Sequence, residues 1–137
     1  MITVAANLRN YVDGERASAG EIPAGQVRSV AIRTMLVDTG ALHLGLPADV
    51  VAKLGLRVQR DMRVNTATGP AVMRYFTGVA LEVSGRAGVF SCLELPEGAI
   101  ALLGAVAMEE LGLQPDLVNQ RLILLPEDGP RNYHLMY

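Results

Sequence analysis

The residues best suited to chemistry follow an apolar run in the first third of the chain. Residues 31–41 are Ala-Ile-Arg-Thr-Met-Leu-Val-Asp-Thr-Gly-Ala, so Asp38 directly follows three apolar side chains. A carboxylate at the end of a buried strand is costly unless donors satisfy it or it shares a proton. Thr39 adds a hydroxyl, and Gly40 lets the backbone turn sharply. We predict a site here, although such a triplet is also common in simple turns.

Composition narrows the class of protein. The 137 residues are 50% hydrophobic and 19% charged, which indicates one globular domain rather than a disordered chain. The net charge is −2 and no basic block is present, so we expect no nucleic-acid partner. Aromatic residues make up 4% and Trp is absent, so the core must be aliphatic.

Several kinds of site and location are not expected. Cys92 is the single cysteine, which rules out an intrachain disulfide and favours a cytoplasmic protein. Cys92 itself is expected to be a small buried side chain. No apolar run approaches the length of about 18 residues typical of a membrane span, so we expect no membrane partner. His43 and His134 have no ligand-type neighbours, so we expect surface histidines and neither a metal site nor another cofactor.

The pattern of apolar and turn residues indicates mainly strands. Residues 2–8 and 26–37 predict strands, separated by an Asp13-Gly14 turn and a loop over residues 15–25. Two extended arms around Thr66-Ala67-Thr68-Gly69-Pro70 predict a hairpin over residues 64–76. Further strands are predicted at 77–83, 89–95, 99–104 and 121–125.

The same order of predicted structural elements occurs twice along the chain. An apolar strand, a loop containing glycine and a short helix lead to Leu54-Gly55-Leu56 and again to Leu111-Gly112-Leu113. The helices are predicted from Pro47 and over residues 105–111, each with a glycine suited to the left-handed cap. We interpret the repeat as internal pseudo-symmetry.

These features together resemble the retropepsin-like, or retroviral-type, aspartic proteases, in particular their small single-domain bacterial members. The resemblance rests on Asp38-Thr39-Gly40-Ala41, on a flap hairpin at 64–76 and on Leu102-Leu103-Gly104, in that order. It implies an all-β fold with one or two short helices, forming the acid protease barrel. The single domain would span 1–137, with a core at 26–125, an N-terminal strand and loop at 1–25 and a tail at 126–137.

The resemblance also implies a function. Each chain has one Asp-Thr-Gly and would supply half a site, so an aspartic endopeptidase would be a homodimer with the two Asp38 carboxylates sharing one water. Asp38, Thr39 and Gly40 would be the catalytic residues. The substrate would be a peptide with apolar side chains, and the residues expected to bind it are Ala41, Leu44, Thr68, Gly69, Leu102 and Leu103.

Departures from the family leave alternatives open. Viral members have acidic residues soon after the motif and an Arg after the second glycine, whereas this chain has Leu42, His43 and Ala105. The ion pair that supports the viral site is therefore absent, and other contacts must hold the loops. One alternative is a non-catalytic dimeric module that binds peptides. Another is a simple β-domain in which the triplet is only a turn. Residues 131–137 could join an intersubunit sheet, lie near the groove or be loose.

Overall fold

The computed structural model describes residues 1–126, which form one closed barrel with short helices around it. The tail predicted over 126–137 lies outside this range from residue 127 onward. No helix among the described residues combines the length and apolar character needed to cross a bilayer. The elements in chain order are β1 (Thr3–Asn10), α1 (Tyr11–Ser18), a 3₁₀ turn (Ala24–Gln26), β2 (Ser29–Val37), β3 (Leu44–Pro47), α2 (Ala48–Leu54), β4 (Val58–Thr66), β5 (Gly69–Val83), β6 (Arg86–Leu95), β7 (Leu102–Leu103), α3 (Ala105–Leu111), β8 (Leu113–Asp116) and β9 (Arg121–Leu124).

Six strands close into a ring. The order is β1-β2-β7-β3-β6-β5, and β5 pairs again with β1. Alternation along β5 buries Val79, Leu81 and Val83 inside the ring, as their spacing predicts. The other strands extend this unit: β4 pairs only with β5 and forms the projecting hairpin, while β8 and β9 form a separate pair. The all-β barrel is confirmed.

The core is aliphatic, as the lack of Trp requires. Among the described residues, the largest fully buried side chains are mostly leucine, and they come from strands around the ring and from α2. They are Leu8, Met35, Leu44, Leu46, Leu54, Leu81 and Leu103.

The two Leu-Gly-Leu segments mark equivalent helix ends. α2 ends at Gly55 with φ 61° and α3 ends at Gly112 with φ 66°, both in the left-handed region that favours glycine. The strands before these two units also lie side by side, because β2 and β7 pair in parallel. The repeat in the sequence therefore corresponds to two similar local structures.

The prediction of one or two helices is wrong, because residues 1–126 contain three. The Asp13-Gly14 pair was interpreted as a turn, but it lies inside α1. Asn10 caps this helix, since its Oδ1 accepts a hydrogen bond of 2.9 Å from the Asp13 amide. Its Nδ2 also donates to the Leu54 carbonyl at 2.9 Å, which ties α1 to the end of α2.

The Asp13 carboxylate is buried and anchors α1 to the chain before β2. It accepts hydrogen bonds from Arg28 Nε at 2.7 Å, Arg28 Nη2 at 2.9 Å and the Arg28 amide at 3.1 Å. These bonds lower the pKa of Asp13 from 3.8 to about 2. The N-terminal segment is therefore part of the folded unit rather than a loop attached to it.

The predicted hairpin is longer than residues 64–76. β4 begins at Val58, so residues 58–63, for which the sequence pattern predicts no strand, extend the first arm. The pairing runs from Val58 opposite Phe76 to Thr66 opposite Gly69. The hairpin is thus a long projecting arm continuous with the barrel strand β5.

A crossing of two backbone segments places the Asp38 loop. Residues 38–43 pass over Gly104, whose φ of −89° is ordinary for any residue. A Cβ at Gly104 would collide with the His43 carbonyl oxygen and lie 2.8 Å from the Leu42 carbonyl oxygen. Glycine is therefore required here by contact rather than by backbone conformation.

The Asp13–Arg28 contact predicts a specific dependence of stability on pH. Because the pKa of Asp13 is lowered in the folded state, its ionised form stabilises the fold above about pH 4, and this contribution is lost as the pH falls towards 2. Asp13→Asn should lower the urea midpoint most at neutral pH, with the difference from wild type shrinking below pH 4. Asp49→Asn removes an exposed carboxylate and controls for net charge. A difference that stays constant with pH would contradict the assignment.

The crossing at Gly104 predicts that Gly104→Ala displaces the Asp38 loop. The collision with backbone should reduce the free energy of unfolding by about 1–3 kcal/mol. Hydrogen exchange at the Ala105 and Val106 amides should accelerate, because their acceptors lie in the displaced loop. Gly25→Ala is the matched control, since a Cβ there has no neighbour within 4 Å. Equal stability of the two variants would show that the crossing is not tight.

Candidate active site

Asp38 lies immediately after β2, where the strand leaves the ring. Its amide donates to the Leu103 carbonyl at 3.0 Å, so the backbone is still held against β7. Its Oδ1 accepts a hydrogen bond of 2.9 Å from the Gly40 amide. Within residues 1–126, Oδ2 accepts no hydrogen bond, and the side chain is half-buried. One carboxylate oxygen is therefore fixed by the loop, and the other is available to a ligand.

Backbone hydrogen bonds hold this loop in the absence of the viral-type ion pair. Helix α3 begins after Gly104 and has no side-chain cap. Its first amides instead donate to the loop: Ala105 to the Ala41 carbonyl at 2.7 Å and Val106 to the Leu42 carbonyl at 3.1 Å. The first amides of a helix have no acceptor within the helix. Here these amides bind the Asp38 loop and stabilise it.

A groove of ≈550 Å³ lies between the Asp38 loop and the hairpin. The volume falls within the range of typical ligand sites. Among the described residues, Asp38 is the one acidic residue along its wall; Arg63 also lines it, and the remaining lining is mostly apolar. The groove brings together five of the predicted site residues: Asp38, Gly40, Ala41, Leu44 and Leu102.

Four predicted residues do not line the groove: Thr68 and Gly69 at the hairpin tip, and Leu103 and Thr39. Leu103 has no exposed surface and belongs to the core, so its side chain does not line the groove. This corrects its expected place in the pocket, and the reason is strand alternation, which turns Leu102 outward and Leu103 inward. Thr39 is exposed and lines a different hollow of ≈380 Å³ on the other side of the loop.

The hairpin tip is stabilised by hydrogen bonds between Thr66 and the two tip residues that are predicted to bind substrate, Thr68 and Gly69. Thr66 Oγ1 donates to the Gly69 carbonyl at 2.6 Å and accepts from the Thr68 amide at 3.3 Å. Gly69 has φ 114°, a value that favours glycine. Thr68 is exposed at the tip, whereas Thr66 and Ala67 line the groove.

Sequence reasoning missed part of the groove wall. The spacing of Met62, Val64 and Thr66, with the polar Arg63 and Asn65 between them, could have indicated one face of β4. Leu93 and Leu95 reach the groove because β6 passes beneath the hairpin, which no local pattern shows. The wall contributed by these strands consists of Met62, Arg63, Val64, Asn65, Thr66, Met73, Leu93 and Leu95.

His43 is not the surface histidine that was expected. It is half-buried at the groove wall, and its ring makes an edge contact with Tyr75 at a centroid distance of 5.3 Å. Its position follows from the crossing over Gly104, which draws residues 42 and 43 towards α3.

The remaining described aspartates do not reach the groove. Asp116 accepts hydrogen bonds from the Asn119 side chain at 2.8 Å and from the Val118 and Asn119 amides, and these bonds lower its pKa. Asp13 is bound by Arg28, while Asp49 and Asp61 are exposed on α2 and β4. Asp128 lies outside the described residues.

Other reactive groups are likewise remote or inert. Cys92 is fully buried, as expected, and burial, with a smaller effect of Glu94, raises the pKa of its thiol to about 12. Within residues 1–126, no three His, Cys, Asp or Glu side chains are grouped so that they could hold a metal ion.

Comparison with known proteins agrees with this arrangement. Comparison with curated proteins gives no significant match. The family model described as aspartyl protease matches residues 24–106, which is more than half of the chain and includes the Asp38 loop, the hairpin and Gly104. The chain belongs to the aspartyl protease family.

Proposed function

We propose that this protein is an aspartic endopeptidase whose active site forms between two copies of the chain, each supplying Asp38. The observation that supports this most directly is that, within residues 1–126, Asp38 is the one acidic residue lining the groove. Water activation in this family's chemistry requires two facing carboxylates. A second Asp38, related by a two-fold axis, would supply the missing one.

The proposed mechanism uses the two carboxylates as a coupled pair. Because two carboxylates close together cannot both ionise cheaply, they share one proton. The ionised Asp38 takes a proton from the water that attacks the peptide carbonyl, and the protonated Asp38 donates to the carbonyl oxygen. The Gly40 amide, which binds Asp38 Oδ1, would keep each carboxylate oriented during this exchange.

The proposed dimer contact is the face of the loop that bears Thr39. Thr39 is exposed and borders the ≈380 Å³ hollow, in which Met1, Leu36 and Leu117 are also found. Leu117 and the neighbouring Val118 are 71% and 91% exposed, so apolar surface adjoins the loop. A second copy would cover this surface, and the two Thr39 hydroxyls would hydrogen-bond across the axis, as the family resemblance implies.

The proposed substrate is an extended peptide beneath the hairpin. Such a segment would pair its backbone with the groove walls in the manner of an added strand. The apolar wall, with Ala41, Leu44 and Leu102 on one side and Met62 and Met73 on the other, favours apolar side chains beside the cut bond. Closure of the hairpin tip around Thr68 and Gly69 would exclude water.

A second candidate is a dimeric module that binds peptides without cutting them. Leu42 and Ala105 favour it, since they replace the charged residues that support the site in viral relatives. The backbone bonds from α3 to the loop favour catalysis instead, because they supply alternative support. Binding of apolar peptides with no cleavage between about pH 4 and 8 would identify the module.

Asp38→Asn should reduce peptide cleavage by a factor of about 10²–10⁴, because the pair loses its general base and its shared proton. The variant should still dimerise in sedimentation analysis. Asp49→Asn, which alters an exposed carboxylate outside the groove, should cut normally. Unchanged cleavage by purified Asp38→Asn would refute the proposal.

Mixed dimers test whether the site is shared. When wild type and Asp38→Asn are unfolded and refolded together, activity should follow the square of the wild-type fraction, giving about one quarter at equal mixing. A complete site within each chain would instead give a linear dependence. The linear result would exclude the shared site while leaving the family assignment intact.

A further inference from the structure

Three side chains stack at the end of the groove away from the hairpin tip. The Tyr75 ring contacts the His43 ring edge-on, with centroids 5.3 Å apart and planes at 76°. The Arg60 guanidinium carbon lies 4.7 Å from the centre of the same Tyr75 ring. A cation over an aromatic face is held by electrostatic attraction. We refer to His43, Tyr75 and Arg60 as the aromatic–arginine stack.

The stack faces the substrate side of the hairpin. Arg60 pairs with Tyr75, and Met62 pairs with Met73, both of which line the groove. Since alternate residues of a strand share a face, Arg60 lies on the same side as Met62 and Val64. The neighbouring Asp61 is therefore on the opposite face of the hairpin, where it lies across from Arg74.

Two members of the stack, His43 and Tyr75, also line a second hollow next to the groove, whereas Arg60 lies outside the lining of both and reaches them through its contact with Tyr75. This hollow has a volume of ≈340 Å³ and shares His43 and Leu44 with the main groove. Within residues 1–126 its wall includes the hydroxyl-bearing residues Thr77 and Ser91 and no acidic residue. A substrate side chain entering it would meet hydrogen-bond donors, with Arg60 stacked on the Tyr75 ring of its wall and Arg63 in the lining of the adjoining groove.

Arg60 differs from arginines whose charge is already satisfied. Arg28 is bound by Asp13, and Arg74 is paired with Glu94 at 2.8 Å. No carboxylate in residues 1–126 forms an ion pair with Arg60, whose contact is the Tyr75 ring. A guanidinium placed in this way can still bind a carboxylate with two parallel hydrogen bonds.

We propose that the aromatic–arginine stack is a subsite for an acidic side chain of the peptide substrate. This inference rests on the proposed function and adds to it a charged position beyond the apolar residues at the cut bond. Arg60 supplies the charge, Tyr75 orients the guanidinium, and His43 joins the subsite to the loop bearing Asp38. The distance along β4 from Thr66 at the tip to Arg60 is about 20 Å. The acidic residue of the substrate therefore lies several residues along the peptide from the part that is bound beneath the hairpin tip.

The experiment uses peptides with apolar residues at the cut bond and a single Glu or Gln moved through the outer positions. At one position the Glu peptide should have a kcat/KM about fivefold above the Gln peptide, which is the upper range for a solvent-exposed charge pair. Arg60→Gln should abolish this preference and leave the Gln peptide unchanged. Arg57→Gln, which alters an exposed arginine of the same segment outside the stack, should retain it. Arg60→Glu should transfer the preference to a Lys peptide.

Binding to the Asp38→Asn dimer, measured by fluorescence anisotropy, separates this inference from the proposed function. Cleavage without any preference for Glu, or a preference that survives in Arg60→Gln, would overturn the subsite and leave the protease intact. Preferential binding of the Glu peptide that depends on Arg60 supports the subsite even if wild type cuts no peptide. Equal binding of all peptides, with no cleavage, would overturn both.

Discussion

The contact on which the site depends is the passage of the Asp38 loop over Gly104. No side chain fits between the two backbones, because a Cβ at residue 104 would occupy the position of the His43 carbonyl oxygen. The close approach lets the first amides of α3 donate to the carbonyls of Ala41 and Leu42. One glycine therefore allows the start of α3 and the Asp38 loop to satisfy each other's polar groups.

The barrel fixes the position of this crossing. β2 and β7 pair in parallel, so the loop after one strand and the glycine after the other leave the ring at the same edge. Both segments are anchored in a closed aliphatic core in which Met35 and Leu103 have no exposed surface. Because such cores are tightly packed, a displacement of either strand end would have to disturb the whole ring. The site is thus positioned by the core and adjusted by backbone hydrogen bonds.

The groove combines this rigid floor with a projecting arm. β4 and β5 extend as a hairpin beyond the ring, and only the part of β5 from Tyr75 onward also pairs with β6. The floor fixes the position of Asp38, whereas the arm is joined to the barrel mainly through one strand. The aromatic–arginine stack lies where the arm meets the loop, since Tyr75 and Arg60 belong to the arm and His43 to the loop. Substrate recognition and hairpin position would therefore be coupled at this point.

The sequence by itself determined the features that depend on local order: the strand ending at Asp38, the hairpin, the glycine-capped helices α2 and α3, and the aliphatic core. Local patterns failed where distant partners decide the structure. Asp13 and Gly14 are typical of a turn but lie in α1, because Asn10 and Arg28 bind the helix start. Leu103 is buried because the pairing of β7 places its side chain on the inner face of the ring. Only the tertiary structure brought Leu93, Leu95 and Met73 to Asp38 and placed His43 against Tyr75. The reason is physical: spacing along a chain fixes which residues share a face, but the pairing of distant strands decides what that face meets.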